Sequence, residues 1–158
     1  IGMLYFLNII PAVPLSLAQA GVYHEVVREE DGNFRGVMEQ DTRIFSKVLT
    51  PVYHIRSTDN GAYFFSSINA PASLTAPISH TWEYYDETLH KWVEKTTISF
   101  TLAGGRESGY RAYSQKENLT EGLWRVSVKV DSKRIVGRVK FYISFEEEER
   151  KPRIQVSL

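Results

Sequence analysis

Strict alternation of apolar and polar residues constrains this chain more than any other feature. In Leu123 to Val130, Trp124, Val126, Val128 and Val130 alternate with Arg125, Ser127 and Lys129. In a strand successive side chains point to opposite faces, so a period of two is the mark of a half-buried β-strand. The same period recurs upstream: Ile78, His80, Trp82 and Tyr84 share one face, Ser79, Thr81, Glu83 and Tyr85 the other. Asp86 to Lys91 then reads as a polar turn, and Trp92 to Ala103 returns with Ile98, Phe100 and Leu102 on its apolar face. This pair is the clearest hairpin in the sequence.

Short strand patterns separated by turn residues fill most of the rest. Gly21 to Glu29 and Phe34 to Glu39 flank Asp31-Gly32-Asn33, and Asp59-Asn60-Gly61 precedes Ala62 to Asn69. Phe45 to Arg56 is a further run, interrupted at Pro51, and Tyr110 to Lys116 is a short strand. Ile135, Val139, Phe141, Ile143 and Phe145 are expected to share a face in the last long strand. No amphipathic helical period competes. The fold class is all-β, an Ig-like antiparallel β-sandwich of about eight or nine strands. A chain of 158 residues is long enough to bury such a core as one domain.

The expected organisation has three parts. Residues 1–20 form an apolar lead, residues 21–145 the sandwich, and residues 146–158 a charged tail or one more edge strand. No charged side chain occurs before Glu25, and the run from Ile1 to Ile10 is strongly apolar, with Pro11 and Pro14 after it. A spanning helix takes roughly twenty apolar residues, so this run reads either as the last turns of a transmembrane helix or as an ordinary edge strand or apolar segment docked on the domain. The charges that follow show no basic excess, which leans toward an extracytoplasmic domain.

Composition removes several kinds of chemistry. Without cysteine there are no disulfides, no thiol nucleophile and no cysteine-ligated zinc. Lysine plus arginine balance aspartate plus glutamate at 19 each, so no electrostatic ground exists for a nucleic-acid partner. His24, His54, His80 and His90 form no local ligand pair, so no metal and no cofactor is expected. Gly-x-Ser-x-Gly elbows and phosphate-binding loops are absent. Glu83, Glu87, Glu94 and Glu107 could supply a carboxylate pair for a hydrolase, but nothing in their spacing singles them out.

Two places stand out as candidate ligand contacts. One is His80 with Trp82, read either as core-margin residues or as contacts at a sheet end. The other is Arg106, Glu107, Tyr110 and Arg111 around Gly104-Gly105, with Tyr113 beside it. Arginine and tyrosine favour binding surfaces, yet an Arg–Glu pair could equally pin the loop. Tyr84, Tyr85, Trp92 and Tyr110 are the candidates for a sugar platform, with Tyr85 pointing outward and Trp82, Tyr84 and Trp124 in the core.

The ordered segments Ala70-Pro71, Ile78-Ser-His80-Thr-Trp82, Gly104-Gly105-Arg106-Glu107-Ser-Gly109-Tyr110-Arg111-Ala-Tyr113-Ser114, Gly122-Leu-Trp124-Arg125-Val126 and Val136-Gly137-Arg138-Val-Lys-Phe141 carry a resemblance. Over about residues 50 to 145 the chain resembles the bacterial domain-of-unknown-function family 2914. The lead from Leu4 to Pro11, with Pro14-Leu-Ser-Leu17, is similar to the exit from the membrane-spanning part of polytopic members. The resemblance implies a compact C-terminal domain on a bacterial membrane protein and transfers no catalytic residue. The expectation is a non-catalytic module that binds a protein, a glycan or an envelope component. The alternative is a purely structural or oligomerisation domain, with a carboxylate hydrolase behind both.

Overall fold

The computed structural model describes residues 15–39, 50–69, 76–100, 110–146 and 152–158. These residues form eleven strands and no helix. In chain order they are β1 (Ser16–Tyr23), β2 (Glu25–Arg28), β3 (Phe34–Glu39), β4 (Val52–His54), β5 (Ala62–Asn69), β6 (Ile78–Asp86), β7 (Lys91–Phe100), β8 (Tyr110–Lys116), β9 (Gly122–Val130), β10 (Arg134–Ser144) and β11 (Arg153–Ser157). The all-β architecture is as expected. It uses more strands than eight or nine and distributes them over three sheets, in the orders β4-β10-β9-β6-β7, β1-β5-β8 and β11-β3-β2. Pairing is antiparallel except between β4 and β10, which run parallel.

The alternating strands build the main core. Trp124, Val126, Val128 and Val130 of β9 turn inward beside Ile78 and Trp82 of β6 and Phe141 and Ile143 of β10. Phe64 and Ile68 of β5 close the layer from the facing sheet. The Trp82 ring meets Phe64 and Phe141 edge-on, with centroids 6.4 and 6.1 Å away. A second, smaller core of Tyr23, Val26, Phe34, Met38, Phe65 and Leu158 lies under β2-β3-β11.

Turn chemistry follows the sequence. Gly32 and Gly61 both hold positive φ, where glycine carries no Cβ penalty. The Asp86 carboxylate accepts the backbone N–H of Thr88 and Leu89, closing the β6–β7 hairpin.

Two details depart from the expected pattern. A bulge in β10 between Ile135 and Gly137 breaks the alternation, so Ile135 is 43% exposed instead of sharing the face of Phe141 and Ile143. Phe145 lies past the end of β10 and is also exposed. At Gly137 an added Cβ would come within 2.6 Å of Leu17 Cδ2, so the missing side chain is what lets β1 pack across β10.

Of the segment read as the apolar lead, residues 1–14 lie outside the described residues, while Ser16–Ala20 belong to β1 and pair with β5. At the other end, β11 pairs with β3 as an edge strand and Leu158 is buried.

Candidate functional site

β6 lies between β7 and β9, so the His-x-Trp pair sits on an interior strand of the largest sheet. Both His80 and Trp82 are fully buried and point at β5 and β8 across the sandwich. His80 Nε2 lies 2.7 Å from Ser66 Oγ and its Nδ1 2.8 Å from Ser114 Oγ. The Trp82 indole N–H donates to the same Ser114 oxygen at 3.0 Å. In the tautomer with hydrogen on Nε2, Ser114 accepts from Trp82 and donates to Nδ1, and His80 donates from Nε2 to Ser66. Phe64 and Phe100 enclose the ring at centroid distances of 4.9 and 5.1 Å. Burial pushes the His80 pKa down to about 3, so the ring is neutral.

Tyr110 is buried in the main core. Arg111 donates from Nη2 to the Leu158 carbonyl at 2.8 Å and sets its guanidinium 5.7 Å from the Phe34 ring centre. It thereby pins the residue after β11 to β8. Arg106 and Glu107 lie outside the described residues. Of the described members of the expected site, His80, Trp82 and Tyr110 are buried and Arg111 is half-buried.

The opposite face of the five-stranded sheet carries a different constellation. Register places Tyr85 beside Trp92, Glu83 beside Arg125, Arg125 beside Lys140 and Ser127 beside Arg138. The Arg125 guanidinium lies 4.2 Å from the Trp92 ring centre, the Lys140 ammonium 5.9 Å from it, and Tyr85 meets the ring edge-on at 5.3 Å. Glu83 accepts Arg125 Nη2 at 2.9 Å and the Ser127 hydroxyl at 2.8 Å. Burial alone would raise the Glu83 carboxyl, but those hydrogen bonds outweigh it and hold the pKa below the usual range. Arg138 and Lys140 are exposed. Parity pointed Tyr85 outward, and it marks this face.

A second polar cluster had no local signal, because its members are spread from residue 24 to residue 153. His24 separates β1 from β2, where the chain passes from one sheet to another. Its Nε2 lies 3.2 Å from Glu39 Oε1, and its ring stacks on Tyr53 at 4.1 Å. Glu39, at the end of β3, also accepts the His54 backbone N–H at 3.0 Å and His54 Nδ1 at 2.9 Å. Asp59 takes Arg153 Nη1 and Nη2, each at 2.7 Å. The Tyr53 hydroxyl donates to the Tyr23 carbonyl at 2.6 Å. Burial lowers the His24 pKa more than the Glu39 hydrogen bond raises it. Burial would raise Glu39 and Asp59, but their bonds to His24 and His54, and to Arg153, hold both below the usual carboxylate range.

The His24–Glu39 pair has the orientation of a base and its positioning carboxylate. The remaining nitrogen, Nδ1, is sealed from solvent and unbonded, so no substrate atom reaches it. A recess of about 150 Å³ nearby is lined by His24, Glu25, Asp59, Tyr63 and Arg153, among others. Among the described residues, no group of His, Cys, Asp and Glu has the geometry to hold a metal ion. An open groove of about 600 Å³ runs over β2 and β3, but its Arg35 and Glu29 are already paired at 2.9 Å.

Comparison with known proteins adds a family and two distant folds. No curated protein matches the chain. An immunoglobulin-like protein from Pseudomonas aeruginosa aligns over 85% of this chain and 99% of its own, at 8% identity and TM-score 0.42. An alkylpurine DNA glycosylase from Pseudomonas fluorescens, solved bound to DNA containing an abasic site analogue, aligns over 84% of this chain and 31% of its own, at 14% identity and TM-score 0.36. At those scores neither likeness bears on ligand or activity. Residues 75–143 match the sequence model of a family described as a protein of unknown function, DUF2914, the family that the segments from Ala70 to Phe141 resemble.

Proposed function

We propose that this domain is a non-catalytic binding module whose contact surface is the outer face of the five-stranded sheet, and that its partner is an acidic polysaccharide of the bacterial envelope. The observation behind this reading is Trp92, stacked with Arg125 at 4.2 Å and flanked by Lys140. Strand parity and register add Arg138 and Lys129 to the same face, against Glu83 and Glu94. Glu83 is already neutralised by Arg125, so the face has positive charge to spare. Aromatic edges suit sugar rings, and spare cations suit their carboxylates. Edge-to-edge assembly through β7 has less support, because Lys91, Glu94 and Lys95 are exposed there and a bulge interrupts its pairing with β6.

Affinity electrophoresis through a uronic-acid polymer tests this, with neutral dextran as control. The polymer should retard the domain, added salt should abolish the effect, and Lys140→Gln with Arg138→Gln should remove most of it without moving the melting temperature. Equal mobility of the variants and wild type would leave the face as mere structure.

The same reading anchors the domain at a bacterial membrane through the apolar lead that precedes β1, with the sandwich on the extracytoplasmic side. Its support is the apolar run from Ile1 to Ile10 and the absence of a basic excess after it. Among the described residues no helix is long and apolar enough to cross a membrane. Carbonate extraction of membranes from expressing cells tests the anchor. The chain should stay in the pellet, and recovery in the supernatant would contradict it.

A further inference from the structure

All three sheets meet at the His24 cluster. His24 comes from the β1–β2 switch, Glu39 from β3, Tyr53 and His54 from β4, Asp59 from the turn before β5, and Arg153 from β11. Among the described residues, the charged and titratable groups around His24 are Glu25 on β2, Glu39 on β3, Tyr53 and His54 on β4, Asp59 on that turn, Tyr63 on β5 and Arg153 on β11.

Glu39 is satisfied by N–H groups. With Nε2 of neutral His24 donating to it, Nδ1 keeps a lone pair, and that lone pair faces Asp59 Oδ2 at 3.8 Å. Two acceptors thus confront each other with no hydrogen between them. Nδ1 is closed to water, so the one species that can satisfy it without moving the structure is a proton.

We propose that this cluster is an acid-released latch on β11: a proton on His24 Nδ1 contests the Asp59 carboxylate with Arg153 and loosens the strand that Arg153 anchors. The contested oxygen, Oδ2, already accepts Arg153 Nη2 and the Arg56 backbone N–H, each at 2.7 Å. A cation on His24 repels the Arg153 guanidinium across a sealed gap, where little water screens them. β11 is the element that yields, because among the described residues it pairs with β3 alone.

The direction of the pH effect follows. His24 is held neutral in the fold, so the closed latch is fully favoured above pH 6.5, the ordinary value of the ring, and is weakened as pH falls below it. Glu39 and Asp59 begin to contribute only as pH falls through the ordinary carboxylate range, below the span tested. His80 loses stability over the same span as His24, but it sits in the main core, so its effect appears at β6 and β9 and not selectively at β11.

Hydrogen exchange of the whole chain between pH 7.5 and 5, corrected for intrinsic rates, tests the latch. Opening of β11 should rise by up to about tenfold per pH unit, the limit for one linked proton, while β6 and β9, though weakened through His80, stay better protected than β11 at every pH. In His24→Gln, whose amide can still donate to Glu39, the β11 rise should disappear. In wild type the His24 ring nitrogens, followed by NMR, should stay neutral through the upper part of this span and titrate below 6.5. A β11 rate that ignores pH, a His24→Gln rise equal to wild type, or a folded-state His24 that titrates at or above 6.5 would each overturn the proposal.

Discussion

His80 Nε2 lies 2.7 Å from the hydroxyl of Ser66, in the gap between the two largest facing sheets. That contact, made by a neutral ring, links stability to pH. The unfolded chain takes up a proton near pH 6.5, whereas the folded chain holds out to about pH 3. Stability is therefore fully present above 6.5 and is lost as pH falls through that window. The whole span is worth about 5 kcal/mol. Urea titrations at pH 7.5, 5.5 and 4.5 should show midpoints falling in that order, and His80→Gln should flatten the trend.

Ser114 serves two buried partners, Trp82 Nε1 and His80 Nδ1. Ser114→Ala leaves both without a hydrogen bond and should cost about 3 kcal/mol. The urea midpoint measures it, and the slope of the transition should stay unchanged.

At Gly61 a Cβ would lie 2.0 Å from the Lys116 carbonyl oxygen, and φ is +82°. Both the contact and the backbone conformation oppose a side chain. Gly61→Ala should cost more than about 3 kcal/mol, read as a fall in melting temperature.

The β10 bulge makes two apolar residues of one strand unequal. Ile135→Ala should change stability by less than about 0.5 kcal/mol, while Phe141→Ala should cost about 3–5 kcal/mol. Chemical denaturation of the two variants side by side separates the bulged register from an unbroken one.

Much of this fold was legible in the sequence wherever one face of a strand is wet and the other dry. The β6–β7 hairpin, the inward residues of β9, the turns at Gly32 and Gly61 and the shared face of His80 and Trp82 all follow from period two and turn chemistry. What lies opposite a face does not follow. His80 and Trp82 are deep in the core because Ser66 and Ser114, from two other strands, complete their hydrogen bonds there. The bulge at Ile135 depends on pairing register, which local pattern does not encode. The His24 cluster was hidden for a related reason. His24, Glu39, His54, Asp59 and Arg153 share no spacing, and only the convergence of three sheets joins them. Trp92 and Tyr85 were visible as aromatics, but the cations beside Trp92 come from β9 and β10.

The central claim is that the outer face of the five-stranded sheet is the binding surface. An amide and indole NMR titration with a short uronic-acid oligomer tests it most directly. Shifts confined to Trp92, Arg125, Arg138, Lys140 and their neighbours are the predicted result. Shifts centred on the β2–β3 groove or the His24 recess, or no shifts at all, would contradict it.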